Sequence, residues 1–322
     1  MISDVHLPLL VSLLLAGISP ALAGRLSPTR AAAALVAAAA AAAAASTTWA
    51  LVLLAVTLAP APHLAGVHGA AHDGPSVHPV PAVIAVALMI GLAAAAIRVV
   101  IVLRRRHRVT RELRALCQTC GLGRREELVV APIADPHAFA VPARFGRGDS
   151  SRGQILVTVG MLRALNPAGR RALLAHEHAH LAGRHHRQRA VVEVAAALNP
   201  LLIPVRAAVA YLVERSADEH AATTIGDRSV AARALVTAAL AGTVRAGRQP
   251  GVPPDAALAY SRFGVARRVA ALNAAPLPER RLPPLLLIAL AVLTATQTVH
   301  AVHTVGAFFL LAEFVHLLGP GR

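Results

Sequence analysis

The stretch VPAVIAVALMIGLAAAAIRVVIVLRRRHR, residues 80–108, decides the class of fold. Its apolar part, Val80 to Leu103, is long enough to cross a hydrocarbon core, which takes about 20 helical residues. Arg104, Arg105, Arg106 and Arg108 then close it with a block of positive charge. Toward the amino terminus, Val5 to Ala23 and Ala31 to Ala59 are further apolar stretches, and Leu285 to Leu318 is a fourth near the other end. Ala21-Leu22-Ala23 looks like a signal cleavage site, but Asp4 precedes the first stretch while Arg25 and Arg30 follow it. That reverses the charge order of a signal peptide, so the first stretch reads as an uncleaved anchor. The second is nearly polyalanine, with strong helix propensity and weak insertion, and Trp49 with Leu51 to Leu58 supplies the missing hydrophobicity.

Short cytoplasmic loops collect Arg. Arg25 and Arg30 lie between the first two stretches, none lies in the loop from Pro60 to Pro81, and the Arg104 block follows the third. The alternation puts the amino terminus outside and residues 104–281 inside, and the last stretch returns the chain outward. The expected architecture is mostly α, a multi-pass cell-membrane protein with about four transmembrane helices. It comprises a three-helix membrane region over 1–103, a cytosolic α+β domain over 104–281, and a fourth helix with a short outer tail over 282–322.

Composition agrees: 56% hydrophobic residues and a mean hydropathy of +0.59 are too apolar for soluble domains, and 3% aromatics with abundant Ala, Leu and Val favour helices over strands. All 32 basic residues are Arg, most of them between Arg104 and Arg281. Topology therefore accounts for the net charge of +16, and no direct nucleic-acid partner is expected. Cys117 and Cys120 form a CxxC without the further ligands of a zinc site or the βαβ context of a redox motif, so they read as structural. The outer loop gathers His63, His68, His72 and His78 with Asp73 at no recognisable ligand spacing and reads as solvated. In the last apolar stretch His300 with His303, and Glu313 with His316, share helical faces, where ionisable groups in a membrane are functional candidates.

Within the inner region Val129 to Pro132 and Gln154 to Val159 read as short strands, separated by Asp135-Pro136 and a Gly/Arg-rich turn, Gly146 to Gly153. Asn166-Pro167 is a helix start, and the helical pattern runs through Arg184. It carries His176-Glu177-His178-Ala179-His180, an HExxH. Two histidines four residues apart project from one face and can share a zinc ion, while the adjacent carboxylate can take a proton from water and pass it to a leaving amine. His178 falls on the opposite face and, with His185 and His186, reads as solvated or structural. A catalytic zinc needs a third protein ligand and an open fourth position. Glu214-Arg215-Ser216-Ala217-Asp218 offers Glu214 as ligand and Asp218, on the same face, as the group that orients a ligand histidine; Glu219 is a rival ligand.

These residues, with Asn199-Pro200-Leu201 between them, resemble the BlaR/MecR-type membrane metallopeptidases, which share an HExxH…ExxxD arrangement with the HtpX-type proteases. The likeness spans about residues 85 to 310. It implies three spans before a cytosolic zincin-like domain and a fourth after it, one Zn2+ per chain on His176, His180 and Glu214, Glu177 as catalytic base and Asp218 as its ligand-orienting partner. It also implies that Asp135 to Pro142 contains a substrate-side edge strand. The substrate would be a cytosolic or membrane-proximal protein, by likeness a winged-helix repressor of the BlaI/MecI kind. HtpX-like quality control and a catalytically silent zinc receptor are the alternatives. The beta-lactam sensors carry an extracellular penicillin-binding domain after the last span; this sequence ends at Arg322, so beta-lactam sensing is not expected of it.

The topology is testable in intact cells with a membrane-impermeant thiol reagent. Labelling is expected at His68→Cys and not at Arg30→Cys or Arg106→Cys; the opposite pattern overturns the orientation.

Overall fold

The computed structural model describes residues 7–58, 79–121, 127–143, 153–244 and 262–276. The histidines at 63, 68, 72 and 78 with Asp73, most of the Gly146 to Gly153 turn, and the fourth apolar stretch with His300, His303, Glu313 and His316 lie outside the described residues. The chain is mostly helical, with one small sheet. Its elements are α1 (Leu7–Arg25), α2 (Pro28–Leu58), α3 (Pro79–Cys120), β1 (Leu128–Ala131), β2 (Ala138–Val141), β3 (Gln154–Thr158) and α4 (Val159–Ala164). Then follow α5 (Pro167–Ala182), α6 (His185–Leu198), a 3-10 turn (Pro200–Leu202), α7 (Ile203–Ile225), α8 (Arg228–Val244) and α9 (Arg262–Asn273).

Among the described residues α2 and α3 are long and apolar enough to cross a membrane, and α1 is a shorter apolar helix. Their surfaces differ. Along α3, Val83, Ile90, Ile97 and Ile101 are between 58% and 66% exposed, the surface of a helix that meets little protein. The polyalanine of α2 is covered instead: Ala31, Ala32, Ala38, Ala39, Ala42 and Ala43 are each 1% or 2% exposed. Small side chains let helices approach closely, and α1 and α2 form one core with α6 and α7 through Leu15, Leu35, Val192, Val205, Val209 and Leu212.

The α3 helix continues past the Arg104 block to Cys120, so a single helix joins the apolar stretch to the sheet. Its end packs Leu113 and Cys117 on Val129, Ala131, Val141 and Leu156. Burial pushes the Cys117 thiol up to about 11, with the neighbouring Cys120 adding to it, and both cysteines are free; the CxxC is a packing element with an unreactive first thiol. Arg114 reaches across to the carbonyls of Pro142 and Ala143 and holds the end of β2.

The sheet order is β1-β3-β2, with β1 parallel and β2 antiparallel to β3, in a register that pairs Val130 with Val157 and Ala140 with Ile155. β3 is central and β-branched, and its other face packs Ile155 and Val157 on Met161, Leu165 and Leu173. Thr158 ends the strand, accepting from the amides of Met161 and His137 and donating to the carbonyl of Asp135. Asn166 caps α5 through the amide of Gly169, with Pro167 in the first helical position. The sheet thus brings β2, an edge strand, alongside α5.

Gly160 is fixed by the backbone in front of it: a Cβ there would lie 1.9 Å from the Ala134 carbonyl oxygen and 2.6 Å from its carbon. Gly160→Ala is expected to cost about 1–3 kcal/mol or more in denaturant unfolding in detergent. Gly242→Ala on α8, where an added Cβ meets nothing within 4 Å, is expected to leave stability unchanged or raised.

Candidate metal centre

Helical spacing puts His176 and His180 on one face of α5, with their Nε2 atoms 3.2 Å apart. Glu214 of α7 faces them: one carboxylate oxygen lies 3.6 Å from His176 Nε2 and the other 3.7 Å from His180 Nε2. One donor atom from each residue fits within 4.8 Å of the other two. Around a tetrahedral zinc with bonds near 2.0–2.1 Å, ligand atoms stand roughly 3.3 Å apart, so the two histidine nitrogens already have that spacing and the Glu214 carboxylate would turn and close in to complete the set.

The histidines are held from behind by different partners. His176 Nδ1 is 3.1 Å from Asp218 Oδ1, one turn after Glu214 on α7. Asp218 is in turn gripped by Arg268 of α9, whose Nε and one terminal nitrogen each donate to a carboxylate oxygen at 2.7 Å. The other terminal nitrogen of Arg268 is 3.0 Å from Glu214, so one buried guanidinium serves both carboxylates. Burial opposes the ionised forms, but His180, Arg268 and His176 together hold Glu214 well below the usual carboxylate range, and Arg268 with His176 lowers Asp218. These carboxylates favour positive charge between them: against its burial, His176 is raised to about 10 by Asp218 and Glu214.

His180 has a histidine behind it. Its Nδ1 is 2.9 Å from Nδ1 of His185, which is 4% exposed, so His185 is buried in the site and not solvated. Burial lowers His180 to about 3 and His185 to about 4, which keeps both rings neutral near pH 7. Were a metal to take the lone pair of His180 Nε2, its Nδ1 would carry the proton and donate to His185. The turn between α5 and α6 is shaped for this ring. A Cβ on Gly183 would meet His185 Nε2 at 2.4 Å, and Arg184 takes the left-handed conformation, φ 49°, that ends α5 at Ala182, short of the expected Arg184.

Glu177 is 4% exposed beside this group, and the Ala140 amide of β2 donates to its carboxyl. Burial, helped by Glu214 and opposed by His176, pushes its pKa up to about 7, the range of a group that takes and returns protons at neutral pH. Glu219 points elsewhere, bonded to Arg215 and Arg228. His178 is on the exposed side of α5, 3.4 Å from Glu127, and His186 contributes a backbone carbonyl to Arg106. Arg268, His185 and the Ala140 amide belong to the site without any local signal in the sequence.

The sequence profile of Peptidase family M48 matches residues 103–210, a third of the chain, which includes His176, Glu177 and His180 and stops short of Glu214. That stretch is similar to peptidases that are generally metal-dependent and typically use zinc, and the apolar α2 and α3 are consistent with membrane association. The match carries no BlaR/MecR-type subdivision. No curated protein and no solved structure matches.

Arg268→Ala removes the cation from two inward-facing carboxylates, a change that typically costs about 3–5 kcal/mol. Because both carboxylates have lowered folded-state pKa values, the contribution is present above the unfolded carboxylate range near pH 4 and is lost as pH falls through the folded values. The expected deficit in denaturant unfolding is therefore large at pH 7 and shrinks below about pH 4.

Proposed function

We propose that this protein is a zinc-dependent endopeptidase embedded in the cell membrane, with its active site on the cytosolic side and one Zn2+ per chain held by His176, His180 and Glu214. The observation that carries the reading is the convergence of the three donors, with Glu177 at their side and each histidine held through its second ring nitrogen. Zinc there supplies Lewis acidity, making water easier to deprotonate and a peptide carbonyl easier to attack. The protein does the rest. Glu177 accepts the proton of the attacking water and returns it to the leaving nitrogen, for which a pKa near 7 suits both directions. Asp218 and His185 fix the two imidazoles, and Arg268 fixes Asp218 and Glu214. β2 lies beside Glu177 through the Ala140 amide, so an extended substrate segment pairing with that edge would bring its backbone to the site.

The substrate is a cytosolic or membrane-proximal protein. The BlaR/MecR-type likeness of the motifs suggests a winged-helix repressor of the BlaI/MecI kind. The packing of α1 and α2 on the helices that carry the site favours, as a second reading, quality-control cleavage of membrane proteins in the manner of the HtpX-type proteases. Four transmembrane helices, with the fourth after residue 281, complete the proposed topology.

Glu177→Gln separates an enzyme from a silent zinc receptor. The variant is expected to keep its zinc and its fold while cleavage of a co-expressed repressor or of a membrane-protein reporter falls by about 100- to 10,000-fold. His176→Ala, His180→Ala and Glu214→Ala are expected to lose zinc by metal analysis, and Glu219→Ala to keep it. Normal cleavage by zinc-loaded Glu177→Gln would refute the mechanism.

A further inference from the structure

The backbone between α6 and α7, Asn199 to Leu202, leaves the α-helical pattern between two buried side chains, Asn199 at 5% exposed and Leu202 at 0%, with Pro200 exposed on the outer side of the turn. Asn199 and the adjoining end of α6 between them reach α1, α2 and α3 inside their apolar stretches. The Asn199 amide nitrogen donates to Ser12 Oγ of α1 at 2.9 Å and to Ser46 Oγ of α2 at 3.3 Å, and its Oδ1 accepts from the Leu201 amide. Arg98 of α3 donates through Nε to the Ala197 carbonyl, at the end of α6, at 2.9 Å. Further along α7, Ser216 and Thr29 of α2 share a hydrogen bond at 2.8 Å. Thr29 to Ser46 and Asn199 to Ser216 are equal lengths of chain, about 25 Å at 1.5 Å per residue, so α2 and α7 run side by side over that whole distance.

Each of these features is what a chain inside hydrocarbon requires. Non-helical backbone at membrane depth persists only where protein buries it and its polar groups are bonded. An arginine within a span is costly unless it pairs, and Arg98 pairs with a carbonyl at a helix carboxyl end, where the dipole favours a cation. Arg98 stands about 9 Å along α3 from Arg104, short of the middle of a core about 30 Å thick. Ile203 at 46% exposed and Val191 at 38% give the hairpin an apolar outward surface near its tip, and Ile97 and Ile101 do the same beside Arg98. Arg206, one turn nearer the cytosol on α7, has a stem long enough to carry its charge to the headgroups.

We propose that α6 and α7 form a re-entrant hairpin whose tip, residues 199–203, is immersed in the acyl chains of the cytosolic leaflet, with Ile203 in contact with lipid. This rests on the membrane placement proposed above. Glu214 lies about 22 Å back along α7 from Asn199, on the cytosolic side of the Arg104 level, so the hairpin anchors the metal centre at a set height over the bilayer.

The test is tryptophan quenching in the full chain, reconstituted in phosphatidylcholine and phosphatidylglycerol vesicles with or without brominated acyl chains. Trp49 is the only tryptophan, so Trp49→Phe provides the background, or the parent spectrum is subtracted if that variant loses helicity. Ile203→Trp is expected to be quenched by brominated lipid as strongly as Ile90→Trp on α3 and shielded from iodide; Thr224→Trp, exposed at the end of α7, is expected to show the reverse. Pro204→Trp serves as the second position if Ile203→Trp misfolds. Iodide quenching at 203 and 204 like that at 224, with Ile90→Trp still quenched by lipid, overturns the hairpin and leaves the peptidase reading intact. Iodide quenching at Ile90→Trp as well overturns the membrane placement and the hairpin with it.

Discussion

One guanidinium sets the geometry of the site. Arg268 is 4% exposed and bonds Asp218 in fork fashion while reaching Glu214, so two acidic residues of α7 are tied to α9 before either meets a histidine. Carboxylates turned inward without such a partner would be costly; with it they can be spent on the imidazoles of α5. The same pairing fixes how α7 is rotated about its axis. Glu214 and Asp218 then point to His176 and His180, and Glu219 points away to Arg215 and Arg228. Arg228 also bonds the carbonyls of Ala271 and Leu272 at the end of α9, so both ends of the arrangement hold that helix in place.

The site depends equally on helices that would be taken for plain anchors. α3 leaves its apolar stretch and, without a break, packs Leu113 and Cys117 on the sheet that positions β2 against Glu177. α1 and α2 form the wall on which α6 and α7 rest, and the small side chains of the polyalanine segment permit that approach. The long apolar α2 and the helices behind the candidate site share a core here.

Much of this was legible in the residues. The i, i+4 spacing of His176 and His180 and the adjacency of Glu177 follow from helical periodicity within one element, and the Asn166-Pro167 start was read directly. Both strands were foreseen to within a residue, Leu128–Ala131 against Val129 to Pro132 and Gln154–Thr158 against Gln154 to Val159. β2 was foreseen only through the family likeness, because four residues with a mixed burial pattern carry little periodic signal. Of the two readings of His185, solvated or structural, its burial decides for the second; nothing local says that Gly183 and a left-handed Arg184 turn its ring back under His180.

By itself the sequence determined which residues share a helical face, where the apolar stretches lie and which side of them collects arginine, because these depend on neighbours a few residues apart. Tertiary structure decided the rest. It chose Glu214 over Glu219 to face the histidines, since five residues at about 100° each turn the two roughly 140° apart and only packing sets the rotation of α7. It brought in Arg268, 50 residues from Asp218, and joined Asn199 to Ser12 and Ser46 across more than a hundred residues of chain. Contacts of that range are set by how whole helices pack, and no short window of sequence records them.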